Sequence, residues 1–256
     1  DPTRDSQIFF DVLFSEEVVD FTASDVILSA STAPGTLSAV VSGSGAVYTV
    51  TVTGMTANGS VVVSIPVGAA QDSSGNGNLA STSVDNSVDY DIVSIEIMDG
   101  GVTVLPLNMA LVDNATYGSA FSTLNVEFKE DVNDPAGDDD SQDVTNPENY
   151  LLVRAGINKK IDTESCLGGV KPDDIRVAVS KAVYDNQLGA GPFTVTLTLN
   201  QGVPLPPGNY RLLLCGTTSI TDLAGNKLHG GQDVAFNFTI EDSGGEGDPN
   251  RLPLTG

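Results

Sequence analysis

The sequence predicts an all-β protein made of two tandem β-sandwiches, the second enlarged by loops, followed by a flexible C-terminal tail. Three observations support this prediction. Apolar residues alternate with polar ones in short bursts, as they do in strands with one buried face. Turn sequences rich in Gly, Ser, Asn and Asp separate the bursts at the short spacing that is typical of sandwiches. No amphipathic helical stripe competes with this alternation.

The first domain is predicted over residues 1–91. In the segment IFFDVLF, Ile8, Phe10, Val12 and Phe14 fall on one face of a strand. The segments AVYTVTVTG and GSVVVSIPV continue the same alternation. Turn sequences such as TANGS and SSGNGN lie between or after these segments, so the whole domain is expected to be β.

The second domain is predicted over residues 92–241, and residues 242–256 form the tail. Its expected strands are IVSIEIM, STLNVEF, NYLLVRAG, IRVAVSKAVYD, PFTVTLTL, NYRLLLCG and VAFNFTIE. Longer polar and acidic stretches separate several of these segments, which indicates a sandwich with large loops.

The pattern Asp-x-x-Gly-Asn occurs once in each domain, at residues 72–76 and 222–226, shortly before a closing strand. We expect Gly75 and Gly225 to adopt the positive φ of a tight turn. The aspartate that opens each pattern is expected to accept hydrogen bonds from loop amides. A structural turn is the favoured interpretation, and metal ligation is the alternative.

The charge of the chain restricts its partners. The sequence has 34 acidic and 11 basic residues, a formal net charge of −23 and a pI near 4.1. This charge repels nucleic acid and anionic membranes, so neither is expected as a partner. No apolar run reaches the roughly 18 residues that a membrane span needs, so no membrane insertion is expected. Together with the cysteines, the composition predicts an extracellular protein.

The sequence offers little for catalysis. His229 is the only histidine, and it lies in a polar stretch beside no known motif. The chain has no Cys-x-x-Cys pair, no glycine-rich phosphate loop and no zinc-ligand set. Paired carboxylates for glycoside chemistry stay open in so acidic a chain. We therefore expect a protein that is not an enzyme, with no catalytic residues.

An acidic segment in the second domain is a candidate metal site. Pro135 and Gly137 force a bend among crowded carboxylates, whose mutual repulsion calls for screening by cations or water. Hard oxygen ligands on a loop suit Ca²⁺, although the spacing does not match an EF-hand. A solvated acidic loop is the alternative. The candidate ligands are Glu130, Asp131, Asp134, Asp138, Asp139, Asp140 and Asp143.

The chain has two cysteines, Cys166 and Cys215, and they are predicted to form one disulfide. A bridge that closes a loop of about 50 residues stabilises a fold by roughly 4 kcal/mol in the chain-entropy model. Two free thiols are the better interpretation if the protein is cytosolic.

Both domains resemble known bacterial modules. The segments FSEEVVDFTASDVILS, GSGAVYTVTVTGM and GSVVVSIPVGAAQDSSGNGNLAST resemble the bacterial Ig-like repeats of large surface proteins, over nearly all of residues 1–91. The segments TNPENYLLVRAG and LPPGNYRLLLCGTTSITDLAGNKL resemble the Ig-like domains named after bacterial S-layer proteins. The resemblance implies two tandem Ig-like sandwiches that serve as stalks, spacers, or adhesive or assembly units.

One departure from the first family has a structural implication. The family repeat usually opens with another strand before the sequence DPT, and that strand is absent here. The resemblance therefore implies that the first domain lacks its first strand and has an uncovered edge.

The last five residues resemble the sorting motif that sortase transpeptidases cut between Thr and Gly. The preceding DSGGEGDPNR is a polar spacer that can present the motif as an extended peptide. The apolar segment and basic tail that follow this motif in the family are not in the sequence, and an appended ligation tag is the alternative. The motif residues are Leu252, Pro253, Leu254, Thr255 and Gly256.

These features together predict a non-catalytic structural or adhesive segment of a bacterial cell-surface protein, serving as a stalk or an assembly subunit. The resemblance implies covalent anchoring or polymerisation through LPLTG, with sortase and the cell wall or neighbouring subunits as partners. An adhesive face would bind a host or environmental ligand. The alternative is a binding or spacer module appended to a secreted enzyme.

Overall fold

The computed structural model of the chain describes residues 2–105, 108–137 and 140–241, without the side chains of residues 99 and 100. The described residues are mostly strand, which confirms the all-β prediction. The chain divides into two compact units: Asp1–Val93 with Leu223–Asn226, and Ser94–Asp222 with Lys227–Gly256. The predicted tail, residues 242–256, lies outside the described residues.

The first layer of the first unit is formed by two long strands, β1 (Gln7–Val18) and β2 (Gly35–Met55). β1 pairs antiparallel with β2, from Gln7 opposite Thr53 to Leu13 opposite Val47. β2 folds back on itself and brings Gly54 so close to Thr36 that a Cβ atom added to Gly54 would lie 2.1 Å from the Thr36 carbonyl oxygen. Only glycine allows the two halves of β2 to approach this closely.

The second layer of this unit contains the antiparallel strands β3, Gly59–Val62, and β4, Ser87–Tyr90. Isolated bridges extend it on both sides, with Ile27 opposite Ser64 and Thr3 beside Tyr90. The alternating apolar residues of both layers meet in one core. The buried members of this core are Ile8, Val18, Phe21, Ala33, Tyr48, Val50, Val52, Met55, Val61, Val63, Ile65, Ala70 and Tyr90.

The second unit is a sandwich of two five-stranded sheets. Its strands are β5 (Ile97–Leu105), β6 (Met109–Ala110), β7 (Ala115–Tyr117), β8 (Thr123–Phe128), β9 (Tyr150–Arg154), β10 (Ile175–Val177), β11 (Val179–Asp185), β12 (Phe193–Leu199), β13 (Gly208–Leu214) and β14 (Val234–Ile240). One sheet has the order β10-β9-β13-β14-β7, and the other has the order β11-β12-β8-β5-β6. Neighbouring strands are antiparallel, except that β14 and β7 are parallel.

Helical structure in the described chain is limited to three-residue 3-10 turns, none of which could span a bilayer. One of them, Ala23–Asp25, belongs to the first unit. The others are Pro147–Asn149, Cys166–Gly168, Gln187–Gly189, Asn200–Gly202 and Leu228–Gly230.

The prediction that IVSIEIM is a strand throughout is wrong, because the strand begins only at Ile97. The carbonyl group of Ile95 accepts a hydrogen bond from the backbone N–H of His229, and that of Glu96 accepts one from the N–H of Lys129. The carbonyl groups of residues 95 and 96 are therefore satisfied although these residues precede the strand, and the Ile95 side chain is fully buried.

The second unit has two separate apolar cores. The main core lies between the two sheets and includes Leu152 of β9 and Leu212 of β13. A smaller core lies on the other side of the same two strands. It contains the buried residues Leu151, Val153, Leu213 and Cys215, with Ile161, Cys166 and Val170 packed against them. The loop of residues 155–174 thus covers the outer face of β9 and β13.

Candidate functional site

The covering loop is joined covalently to the strand that it covers. Cys215 directly follows β13, and Cys166 opens the 3-10 turn of the loop. The two residues form a disulfide with a Cα–Cα distance of 5.7 Å, so the predicted pairing is confirmed. The sulfur atoms belong to the small outer core, since Cys215 is buried and Cys166 packs against the same cluster.

A carboxylate lies beside the disulfide and joins the same two segments. Asp233, which immediately precedes β14, accepts hydrogen bonds through Oδ2 from Ser165 Oγ at 2.7 Å and from the Cys166 amide at 2.8 Å. Its Oδ1 accepts from the Thr217 amide at 2.9 Å and from Thr217 Oγ1 at 2.6 Å. All four lone-pair positions of this carboxylate are therefore used.

The hydrogen bonds set the ionisation of Asp233. Partial burial alone would raise the pKa of the carboxyl group, but the bonds from Thr217, Ser165 and Cys166 outweigh burial and hold the pKa below its ordinary value. The charged form is thus the one that the folded protein stabilises, and it connects the loop at residues 165–166 with the segment after β13.

A second carboxylate joins the middle of the covering loop to its C-terminal end. Asp174 is buried, and its Oδ2 accepts hydrogen bonds from the amides of Asp162 and Thr163 and from Thr163 Oγ1, at 2.9, 2.7 and 2.6 Å. Arg211 of β13 donates to the Thr163 carbonyl group at 2.7 Å. The loop is therefore attached to the sheet near both Thr163 and Cys166.

The acidic segment does not gather its carboxylates at one point within the described residues. Asp131 accepts a hydrogen bond from the hydroxyl group of Tyr184 in β11. Burial, followed by this bond, raises the pKa of the Tyr184 phenol well above its ordinary value. The Glu130 carboxylate lies near Asp222 instead, with carboxylate oxygens of the two residues within 4.8 Å of each other. Val132 and Asp222 form an isolated antiparallel bridge, which brings the two segments together.

Among the candidate ligands, Asp143 has a buried carboxylate oxygen that accepts no hydrogen bond in the described structure. Its side chain is fully buried, and Oδ1 accepts from the Thr145 amide at 2.7 Å and from Thr145 Oγ1 at 2.6 Å. Its Oδ2 is buried without a hydrogen-bond partner in the described structure. The Thr145 hydroxyl group also lies 3.5 Å from Oδ1 of Asp134, so these two carboxylates adjoin the same side chain.

The other predicted members of the acidic set are placed differently. Asp140 Oδ1 accepts from the Gln142 amide at 2.8 Å, which is a local turn contact. Asp138 and Asp139 lie outside the described residues, as do the sorting-motif residues 252–256.

The two Asp-x-x-Gly-Asn segments form similar turns. Gly75 and Gly225 have φ values of 85° and 81°, which confirms the expected left-handed conformation. Asp72 Oδ1 accepts from the Ser74 and Asn76 amides at 2.8 Å each, as predicted for a structural turn. Isolated bridges close both turns at equivalent positions, residues 71 and 77 in one and residues 221 and 227 in the other.

The single histidine pairs with a carboxylate at the surface. His229 Nδ1 lies 2.9 Å from Glu96 Oε2, and both side chains are substantially exposed. In the parts of the chain that the structure describes, the side-chain hydrogen bond of His229 is thus made with an acid and not with a Ser, Thr or Cys nucleophile. This geometry is a hydrogen-bonded pair at the surface and differs from the nucleophile–base pair of a hydrolase.

Sequence reasoning missed Asp233 and Asp174. Neither belongs to an acidic run, and their importance arises from contacts with residues 165–166, 217 and 162–163 that are distant in sequence. One signal was available for the surface that they help to cover. The runs YLLVR and YRLLLC are apolar at consecutive positions, which indicates strands buried on both faces.

Comparison with known proteins finds one family and several distant structures. Residues 4–92 match the family model of the bacterial Ig-like domain. No curated protein matches the chain. Among solved structures, the methionine-rich copper resistance protein PcoC from Escherichia coli is 16% identical, with a TM-score of 0.31, over 58% of this chain and 100% of that one. A structure named BspA_C_mut is 10% identical, with a TM-score of 0.25, over 91% of this chain and 84% of that one. At these TM-scores the structural likenesses carry no argument.

We expect Asp233→Asn to lower the free energy of unfolding of the second unit by about 1–2 kcal/mol, because an amide cannot accept all four hydrogen bonds and partial exposure weakens each of them. Since the folded pKa of Asp233 lies below the unfolded value, its contribution is present above about pH 4 and is lost as pH falls through the folded pKa. Urea unfolding at pH 7 and at pH 2.5 measures both effects.

The matched control for this prediction is Glu164→Gln, which removes one charge from an exposed position in the same loop. Wild type and Asp233→Asn should differ at pH 7 and converge at pH 2.5, while Glu164→Gln follows wild type throughout. A difference that persists unchanged at low pH would show that the ionised carboxylate is not the stabilising group.

Proposed function

We propose that this chain is a non-catalytic structural segment, a stalk or assembly subunit, of a bacterial cell-surface protein. The observation that carries the proposal is the match of residues 4–92 with the bacterial Ig-like domain, a family of modules that is generally non-catalytic. The disulfide supports an extracellular location, because such bonds persist in oxidising compartments. The formal charge of −23 suits a protein that stays solvated outside the cell.

The second unit is proposed to be an Ig-like domain of the S-layer type. Two five-stranded sheets with a common core support this assignment, together with the segment resemblances around β9 and β13. The disulfide in the covering loop suits an extracellular stalk, since a covalent bond of this kind limits local opening. A host or environmental ligand would contact loops of either unit, because loops and not sheets supply specificity.

Covalent attachment is proposed to occur at Thr255. A transpeptidase needs an extended peptide that no sheet has recruited as a strand. Pro249 and Pro253 lack backbone N–H groups, and they oppose such recruitment. In the proposed reaction, the thiolate of a sortase attacks the Thr255 carbonyl carbon, the bond to Gly256 breaks, and an amine of the cell wall or of another subunit then displaces the enzyme.

Incubation of the full chain with a sortase and triglycine should give a product that retains Thr255, has lost Gly256 and carries the triglycine, as measured by intact mass. Thr255→Ala should give much less product, because the residue-255 carbonyl is still present but the threonine side chain that completes the motif is lost. If several classes of sortase leave the wild-type tail intact while they cut a control LPLTG peptide, the anchoring proposal fails.

We also propose that Ca²⁺ binds beside Asp143 and Asp134. A fully buried carboxylate oxygen without a partner is costly, and a hard cation would satisfy it. Asp134 is the neighbouring carboxylate, since both acids adjoin the Thr145 hydroxyl group. Two carboxylates supply the hard oxygen ligands that this cation prefers.

Removal of Ca²⁺ should lower the melting temperature of the wild-type protein, because a ligand that binds only the folded state stabilises it by about 2.7 kcal/mol at 100 times its Kd. In Asp143→Asn, the melting temperature should be the same in Ca²⁺ and in excess chelator. Asp85→Asn, an exposed aspartate of the first unit, is the control and should respond as wild type does. An identical wild-type melt with and without chelator would leave the acidic segment as a solvated loop.

A further inference from the structure

The first unit leaves part of its core uncovered beside β1. Ile8 is buried, but Phe10, Val12 and Phe14, which follow it on the same inward face, are only partly buried. Their neighbours on β2 do not share this exposure: Val50, opposite Phe10, is fully buried. The inward face of β1 therefore lacks a neighbour on the side away from β2.

A groove occupies this place. It has a volume of about 550 Å³ and is lined by residues 10–15 of β1, by Val63 and Ile65, and by residues 78–83, 85 and 86. The far wall is itself attached to the second layer, because the Ser81 amide donates to the Ile65 carbonyl and the Val63 amide donates to the Asn86 carbonyl, at 2.9 and 3.0 Å. The groove thus has an ordered wall on each side.

β1 is also an edge strand. Residues 7–13 pair with β2 along one side. Across the described chain, no backbone hydrogen bond reaches the opposite side of these residues from another segment. In an antiparallel pair, the N–H and C=O groups of alternate residues point away from the partner, so β1 presents a row of unpaired groups along the groove.

The charge around the groove restricts its occupant. Asp11 and Asp85 are both lining residues. In residues 1–93, Arg4 is the only basic residue, and every other charged residue is Asp or Glu. The side chain of Arg4 is already engaged, since it donates to the Gly225 carbonyl group at 2.9 Å. A second copy of so acidic a chain would be repelled, whereas a basic segment would be attracted.

We propose that the free edge of β1 and the groove beside it accept an extended segment of another polypeptide, with apolar residues at alternate positions and Lys or Arg between them. The segment adds to the first layer as a strand next to β1. Its apolar side chains cover Phe10, Val12 and Phe14, and its basic side chains lie near Asp11 and Asp85. Strand addition of this kind takes affinity from backbone hydrogen bonds and specificity from alternate side chains. This interaction goes beyond a stalk function and does not depend on anchoring.

The probe is a fluorescein-labelled peptide of sequence KVKVTVKVK, measured by fluorescence anisotropy against the full chain. A peptide of the same composition with its valines grouped together tests whether alternation matters, and EVEVTVEVE tests the charge. We expect the alternating basic peptide to bind at least about tenfold more tightly than either control, and to slow amide exchange in β1. Equal binding of the alternating and grouped peptides would overturn the proposal.

Two variants locate the binding surface. Ala80→Trp places a large side chain in the groove from its far wall, and we expect at least about a tenfold loss of peptide affinity. Ala30→Trp, at an exposed position outside the groove lining, is the matched control and should bind as wild type does. Substitution of Lys for both Asp11 and Asp85 should reverse the peptide preference, so that EVEVTVEVE binds more tightly than KVKVTVKVK.

Sedimentation equilibrium of the wild-type protein and of Ala80→Trp distinguishes a second copy from a separate partner. The proposal expects a monomer in both cases. A wild-type dimer that Ala80→Trp dissociates would assign the groove to a second copy of the chain and overturn the choice of partner. A loss of peptide binding in Ala30→Trp equal to that in Ala80→Trp would show that the groove is not the binding surface.

Discussion

The second unit depends on the burial of both faces of β9 and β13. Leu152 of β9 and Leu212 of β13 face the main core, while Leu151 and Leu213 face the opposite side. The second sheet can cover only one of these faces. An exposed apolar outer face on adjacent strands would be an aggregation hazard, so another part of the chain has to cover it. The loop of residues 155–174 does this.

The covering loop contains few apolar residues, so it needs other interactions to stay on the sheet. It supplies only a few apolar side chains to the outer core, chiefly Ile161 and Val170. Their burial alone offsets little of the conformational entropy lost when some twenty residues are ordered, at about 1–2 kcal/mol per residue. The Cys166–Cys215 bond, the Asp233 carboxylate and the Arg211 guanidinium attach the loop to the sheet, and the Asp174 carboxylate joins residues 162–163 to the end of the loop. This loop is also what enlarges the second sandwich.

Much of the fold, but less of its binding chemistry, could be predicted from the sequence. Alternation identified β1, and the left-handed Gly75 followed from local turn chemistry, because both depend on neighbouring residues. The cysteine pairing was predictable since only two cysteines exist. Asp233 was not, because its four donors come from residues distant in sequence. The partial exposure of Phe10 did not follow from alternation, which shows which way a side chain faces but not whether another strand covers it; only the family resemblance implied an uncovered edge in this domain.

Hydrogen exchange of residues 155–174, measured by mass spectrometry on native protein before and after reduction of the disulfide, tests whether the Cys166–Cys215 bond holds this loop on the sheet. We expect reduction to accelerate exchange in this loop and in β9 and β13, whose outer face loses its cover, while β8 and β12 in the opposite sheet stay protected. Unchanged exchange in the loop after complete reduction would contradict this expectation, because the disulfide would then contribute nothing to holding the cover on the sheet.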